Sequence, residues 1–145
     1  MRIDSFKAMT TGCLRTIDAG ATVRSAATAL SDGDAGLVVV CDHWGEVAGV
    51  ISKSDLVRHL ARAGSARAST AGLMTRAFVS CRPEDDIRTV WQAMTARGLQ
   101  NLPVLDANSR PLGILDVRDA MRVILETEQL EEQALANYIA GVGYR

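Results

Sequence analysis

The 145-residue sequence is poor in aromatics (4%), holds only three prolines, and has almost no net charge, with 16 basic against 17 acidic side chains. Each scarcity excludes something. A formal charge of −1 leaves no basic surplus to hold nucleic acid or an anionic membrane. So few aromatics provide no stacking platform for single strands. No apolar run reaches the roughly 18 residues that a membrane-crossing helix needs. The opening residues MRIDSFKAMT lack the apolar stretch of a secretory signal. Cys13, Cys41 and Cys81 are odd in number and widely spaced, and His43 and His59 complete no zinc pattern with them. They read as reduced thiols of a cytoplasmic protein. Also missing are a Gly-x-Ser-x-Gly elbow, a Walker loop and a metal-ligand cluster, so neither an enzyme nor a required cofactor or metal is expected.

What the sequence does contain is a repeat. Asp42 and Asp106 lie 64 positions apart, and so do Gly49 and Gly113, Asp55 and Asp119, Val40 and Val104, Arg24 and Arg88, Ala29 and Ala93, and Arg58 and Arg122. Conservative pairs such as Val23 with Ile87 and Val50 with Ile114 keep the same offset, without a gap from Thr22 to Leu60. A self-match of this kind dictates the architecture.

Each copy reads β-α-β-β-α. An extended piece opens it, Leu14–Ile17 in the first and Phe78–Cys81 in the second. Helical spacing follows, with Val23, Ala26, Ala27 and Leu30, and then Ile87, Val90, Trp91 and Met94. Thr22 and Asp85 or Asp86 are suited to cap those helices. The β-branched run Leu37–Cys41 and its return Val47–Ile51 form a strand pair, as do Leu102–Leu105 and Leu112–Leu115. Pro103 has no N–H, which puts it at a strand start or on an edge. One such unit cannot bury its apolar faces alone. The expectation is an α+β fold of two repeats packed with pseudo-two-fold symmetry and clefts between them. The expected boundaries are 8–63 for the first repeat, 64–72 for a small, polar linker, 73–125 for the second repeat and 126–145 for a helical extension.

At this point the sequence resembles a tandem CBS-domain pair, a Bateman module. Gly49-Val50-Ile51-Ser52-Lys53-Ser54-Asp55 is similar to the Gly-x-x-Ser/Thr-x-x-Asp signature, and Gly113 to Asp119 carries it in altered form. Leu102-Pro103-Val104-Leu105-Asp106 resembles the family's Leu-Pro-Val-x-Asp strand, and Met9-Thr10 and Met74-Thr75 resemble its leading Met-Thr. The resemblance implies a cleft for an adenosine-containing ligand: AMP, ADP, ATP, S-adenosylmethionine or NAD. It points to the opening strands at Thr16 and Ser80, and to the strand starts at Gly36-Leu37 and Asn101-Leu102-Pro103.

Residue chemistry supports the same cleft. A carboxylate at a helix start, as at Asp55 and Asp119, can accept both hydroxyls of a ribose. Ser52 and Ser54 stand where hydroxyls and free backbone N–H groups receive a phosphate, and Lys53 and Arg118 add positive charge. The alternative reading of the same acids and serines is that they are helix caps. The second copy departs from the pattern. Asp116 replaces Ser or Thr and would repel a phosphate unless a cation or Arg118 offsets it, and Gln100-Asn101 replaces a His-Arg pair. The copy-one site is therefore the better candidate.

After Ile124, Leu130, Ala134, Leu135, Tyr138 and Ile139 form a helical stripe beside four glutamates, with a stop expected over Gly141–Arg145. That stripe favours a homodimer. The function expected is a regulatory sensor of an adenosine ligand that signals to a partner protein in trans. The alternative is a structural dimerisation or adaptor module with a degenerate, ligand-free cleft.

Overall fold

Both helix starts rest on a side-chain cap. Thr22 accepts a hydrogen bond from the Ser25 N–H at 3.3 Å, opening α2 (Val23–Leu30). Asp86 accepts one from the Thr89 N–H at 3.0 Å, opening α4 (Ile87–Arg97). Each cap satisfies an N–H that the first turn leaves unpaired. At the far end of α4, Gly98 adopts φ 66°, a left-handed conformation that glycine takes without a Cβ penalty. The structure, a computed structural model, describes residues 1–33 and 35–143, without the side chains of 141–143.

In the first copy β1 (Thr16–Asp18) runs parallel to β2 (Leu37–Cys41), which pairs antiparallel with β3 (Val47–Ser52). In the second, β4 (Asn101–Leu105) and β5 (Pro111–Asp116) form the equivalent antiparallel pair. Helices α3 (Lys53–Ala61) and α5 (Val117–Gly143) close the two copies. The fold is the expected α+β repeat pair.

The expected strand Phe78–Cys81 does not form; it shrinks to one parallel bridge between Cys81 and Val104. Proline explains the loss. In copy one the Val39 N–H donates to the Arg15 carbonyl at 2.9 Å, tying β1 to β2. Pro103 occupies the equivalent place and has no N–H to give to Val79, so pairing begins only where Cys81 donates to the Pro103 carbonyl at 3.0 Å.

Alternation along the strands divides the apolar residues into three groups. Val38 and Val40 join Ala26, Leu30 and Ile51 beneath α2. Leu102 and Val104 join Ile87, Met94, Ala120 and Val123 beneath α4 and α5. On the opposite faces, Leu37, Val39, Val50 and Ile114 meet at the seam between the copies. Val50 and Ile114 are partners in the repeat, so the sheets are packed face to face about a pseudo-two-fold axis.

Sequence reading missed the leading segments. A 3-10 turn (Ile3–Phe6) and α1 (Lys7–Gly12) precede the first copy, yet they pack on the second. Conversely, Thr75, ahead of the second copy, exchanges both backbone hydrogen bonds with Val50 of the first, at 3.0 and 2.8 Å. The two signature glycines mark these crossings. A Cβ on Gly113 would lie 2.8 Å from the Thr10 carbonyl carbon, and one on Gly49 would lie 2.9 Å from the Thr75 oxygen.

The C-terminal extension is not a separate element. Helix α5 runs unbroken for 27 residues from the closing helix of copy two, passing the stop expected at Gly141. Tyr144 and Arg145 of that expected stop lie outside the described residues. No helix among the described residues is long and apolar enough to cross a membrane.

Candidate functional site

The seam opens into a cleft of about 990 Å³. One wall is the β3–α3 junction. Ser52 caps α3 by accepting the Asp55 N–H at 3.2 Å, while Asp55 Oδ2 accepts the Ser52 N–H at 2.8 Å and its hydroxyl at 3.1 Å. This reciprocal box holds the acid at the helix mouth beside the positive end of the backbone dipole. Arg58 Nη2 donates to Asp55 Oδ1 at 3.2 Å. The Asp55 side chain is 13% exposed and that of Arg58 62%. Asp55 is therefore a cap and a cleft residue at once. An incoming hydroxyl at Oδ1 displaces only a solvated guanidinium, a pair worth little to stability.

The facing wall belongs to the second copy. Asn101, Leu102 and Pro103 line it with Leu99 and Gln100. Gly36 and Leu37 form the floor, where a Cβ on Gly36 would collide with the Asn101 carboxamide. That close approach across the pseudo-axis accounts for the glycine. Asp116 and Arg118 close one end. The Arg118 N–H donates to Asp116 Oδ1 at 2.7 Å, and its guanidinium reaches Oδ1 at 3.3 Å and Oδ2 at 3.1 Å. Burial raises the Asp116 pKa, but the Arg118 hydrogen bonds and charge outweigh it and hold the carboxyl below its ordinary value. The repulsion expected of Asp116 is thus offset within the chain.

Ser52, Lys53, Ser54 and Asp55 come together with Gly36, Leu37, Asn101, Leu102, Pro103, Asp116 and Arg118 around this one cleft. Three expected residues do not join them. Thr16 and Ser80 are exposed and do not line the cleft. The reason is position: the lining comes from Ala77, Phe78 and Val79, just before Ser80, because the chain crosses the cleft before reaching the sheet edge. Asp119 faces a second recess of about 540 Å³, lined with Met9, Gly12 and Cys13 and sharing Asp116 and Arg118 with the cleft. There its Oδ1 takes a bond from Arg122 at 3.2 Å, and Cys13 Sγ lies 4.0 Å from Oδ2. The recess is the repeat counterpart of the Asp55 side, since Cys13 and Ala77 are 64 positions apart. Sequence reading missed Thr75, Ala77, Phe78 and Val79. The doubled Met-Thr was their only signal, and it does not reveal that each lead crosses to the other copy.

The buried Cys81 thiol is poorly suited to act as a nucleophile. Burial, then nearby Asp85, pushes the Cys81 thiol up to about 12. Among the described residues no group of three or more His, Cys, Asp or Glu side chains is arranged to hold a metal ion.

Two matching repeats, β-α-β-β-α in the first and α-β-β-α in the second, packed sheet to sheet with an acid at each closing helix mouth, define the class of protein: a paired-repeat module. The family model for the CBS domain matches residues 5–62 and 70–126. The chain belongs to the CBS-domain family, as a tandem pair. It is similar to the CBS domain pair of protein MJ0100, solved with 5′-methylthioadenosine and S-adenosyl-L-methionine, at 20% identity and TM-score 0.74 over 88% of this chain and 98% of that one. It is also similar to CBS domain protein PAE2072 of Pyrobaculum aerophilum, solved with AMP, at 19% identity and TM-score 0.72 over 82% and 89%. A 17.7 kDa protein from the bps2 3′ region of Acidianus ambivalens is 25% identical over 125 residues, 84% of this chain and 74% of that protein.

Proposed function

We propose that the chain is a regulatory rather than a catalytic module, which binds an adenosine-containing ligand in the cleft and signals to a partner protein in trans. The observation that carries this reading is the cleft's two-sided lining. Ser52–Asp55 of one copy face Ala77–Val79 and Asn101–Pro103 of the other across about 990 Å³, the upper end of the range for small-molecule sites. In this reading the ribose hydroxyls bind Asp55, the base lies among Phe78, Val79, Leu37 and Pro103, and an acidic group turns to Ser54 and Lys53. Ligand touching both copies biases their relative arrangement by its different affinity for each. The complexes of MJ0100 and PAE2072 support this ligand class. Three free thiols suit a reducing, cytoplasmic setting, and a homodimer is part of the proposal.

The test is thermal stability with AMP, ATP, S-adenosylmethionine and 5′-methylthioadenosine. A ligand at a hundredfold excess over its Kd stabilises by about 2.7 kcal/mol when it binds only the folded chain. Asp55→Asn keeps an oxygen for the Ser52 cap yet loses the charged acceptor, and should abolish most of that shift. No shift with any of the four ligands would favour the structural adaptor with an unused cleft.

A further inference from the structure

A ribose that binds Asp55 must take a place already held by Arg58, whose Nη2 donates to Asp55 Oδ1 at 3.2 Å. Arg58 itself lines the cleft, one turn along α3 from the acid. Its side chain is 62% exposed, so the guanidinium can leave the acid without entering the core. The other oxygen, Oδ2, accepts the Ser52 N–H and hydroxyl. Displacing Arg58 from Oδ1 therefore leaves the start of α3 intact.

The second copy shows how the same arginine looks when it is anchored. Arg122 is the repeat counterpart of Arg58 and bonds Asp119 in the same way, also at 3.2 Å. A second acid holds it, since Glu126 Oε1 lies 3.8 Å from Arg122 Nη1. In copy one the counterpart of Glu126 is Arg62, the C-cap residue of α3. Side chains four positions apart on a helix are neighbours, and like charges there repel. Arg58 thus faces a like charge where Arg122 has an anchor. Arg122 lines neither the cleft nor the recess beside Asp119. The arginine with the weaker hold on its acid is the one that borders the cleft.

The remaining ionisable side chains of the cleft are Lys53, Asp116 and Arg118. Asp116 and Arg118 offset each other through the bonds already described. Lys53 has no ion pair among the described residues and stands on the same wall as Arg58. Three cations against two acids leave a positive surplus on the copy-one side. A phosphomonoester carries about −1.5 to −2 at neutral pH and matches that surplus, whereas a sulfonium adds to it.

We propose that Arg58 is an exchangeable counter-ion: the ribose takes its place on Asp55, and the released guanidinium turns to the 5′-phosphate of the same ligand. The cleft thereby selects a nucleoside monophosphate over adenosine ligands whose 5′ group is uncharged or cationic. This rests on the reading that a ribose binds Asp55 in the cleft. A ligand without phosphate displaces the guanidinium and gives it nothing in return. A ligand with one returns a charge-assisted contact, for which the planar guanidinium fork is suited. The two ends of the ligand are then coupled through one side chain.

The experiment is calorimetric titration of the full chain with adenosine, 5′-methylthioadenosine, S-adenosylmethionine and AMP. AMP should bind the wild type about tenfold or more tightly than adenosine or 5′-methylthioadenosine, the return from one charge-assisted hydrogen bond. S-adenosylmethionine should bind weakest. Arg58→Gln should weaken AMP about tenfold by the same reasoning. It should leave adenosine unchanged or slightly tighter, because no charged group then has to be displaced. Arg58→Lys keeps the charge without the fork and should recover part of the AMP affinity. Arg122→Gln, outside the cleft, should alter neither ligand. Equal wild-type affinity for AMP and 5′-methylthioadenosine would overturn the selection and leave the adenosine-ligand reading standing. An Arg58→Gln change that weakens AMP and adenosine alike, or neither, would overturn the exchange. Absence of binding by all four ligands would overturn the adenosine-ligand reading and this proposal with it.

Discussion

Single residues in this chain carry more than one duty, and their substitutions separate the duties. Gly113 has no cavity beside it: an added methyl meets Thr10 backbone at 2.8 Å, and backbone cannot step aside as a side chain tip can. Gly113→Ala should cost about 1–3 kcal/mol of unfolding free energy in urea titration. Gly20, with nothing within 4 Å of an added Cβ, is the control, and its alanine variant should stay within about 0.5 kcal/mol. Asp116 gives a pH signature. Its folded pKa is lowered, so the unfolded chain binds the proton more tightly. The stability it contributes is full above the ordinary value of 3.8 and is lost as pH falls through the lowered one. Arg118→Ala should remove that acid-limb dependence. Because the Arg118 side chain is 85% exposed, the loss at neutral pH should be no more than about 1 kcal/mol. Ser52 and Asp55 were legible because a capping box is local, three residues wide. Thr16 and Ser80 were misplaced because which part of an edge strand lines a cleft depends on a packing that no local spacing encodes.

Elements were legible where periodicity and caps agree. Thr22 and Asp86 mark the starts of α2 and α4 in sequence as in structure. The continuity of α5 was not read, although neither Gly nor Pro interrupts Val117–Ala140, because the boundary was drawn where the repeat ends. The missing strand before Cys81 was not legible, because its absence depends on a proline more than twenty residues away. Pro103→Val tests that account. The new N–H should donate to the Val79 carbonyl and extend the sheet, visible as slowed hydrogen exchange at position 103. The gain of about 0.5–1.5 kcal/mol from one hydrogen bond is offset by about 0.4–1 kcal/mol of added unfolded-chain entropy. Global stability should therefore barely change while local protection rises. Fast exchange at the substituted position would show that something other than the proline keeps the strand from forming.

At the scale of the whole molecule, the two copies are held by crossed leads as well as by their seam. The repeat offset revealed the two units and a shared cleft, but not that residues before one copy complete the other. Deleting residues 1–12 should therefore destabilise β4, β5 and α5 more than the first copy that they precede, as read by segment-resolved hydrogen exchange. The central claim is that ligand bridges the two copies across the seam. The most direct test is titration of isotope-labelled protein with AMP and with S-adenosylmethionine, followed by amide chemical shifts. Binding in the cleft predicts that one ligand perturbs Ser52–Asp55 together with Ala77–Val79 and Asn101–Leu102, and that Asp55→Asn suppresses the perturbation on both walls. Shifts confined to one copy, or none with either ligand, would contradict it.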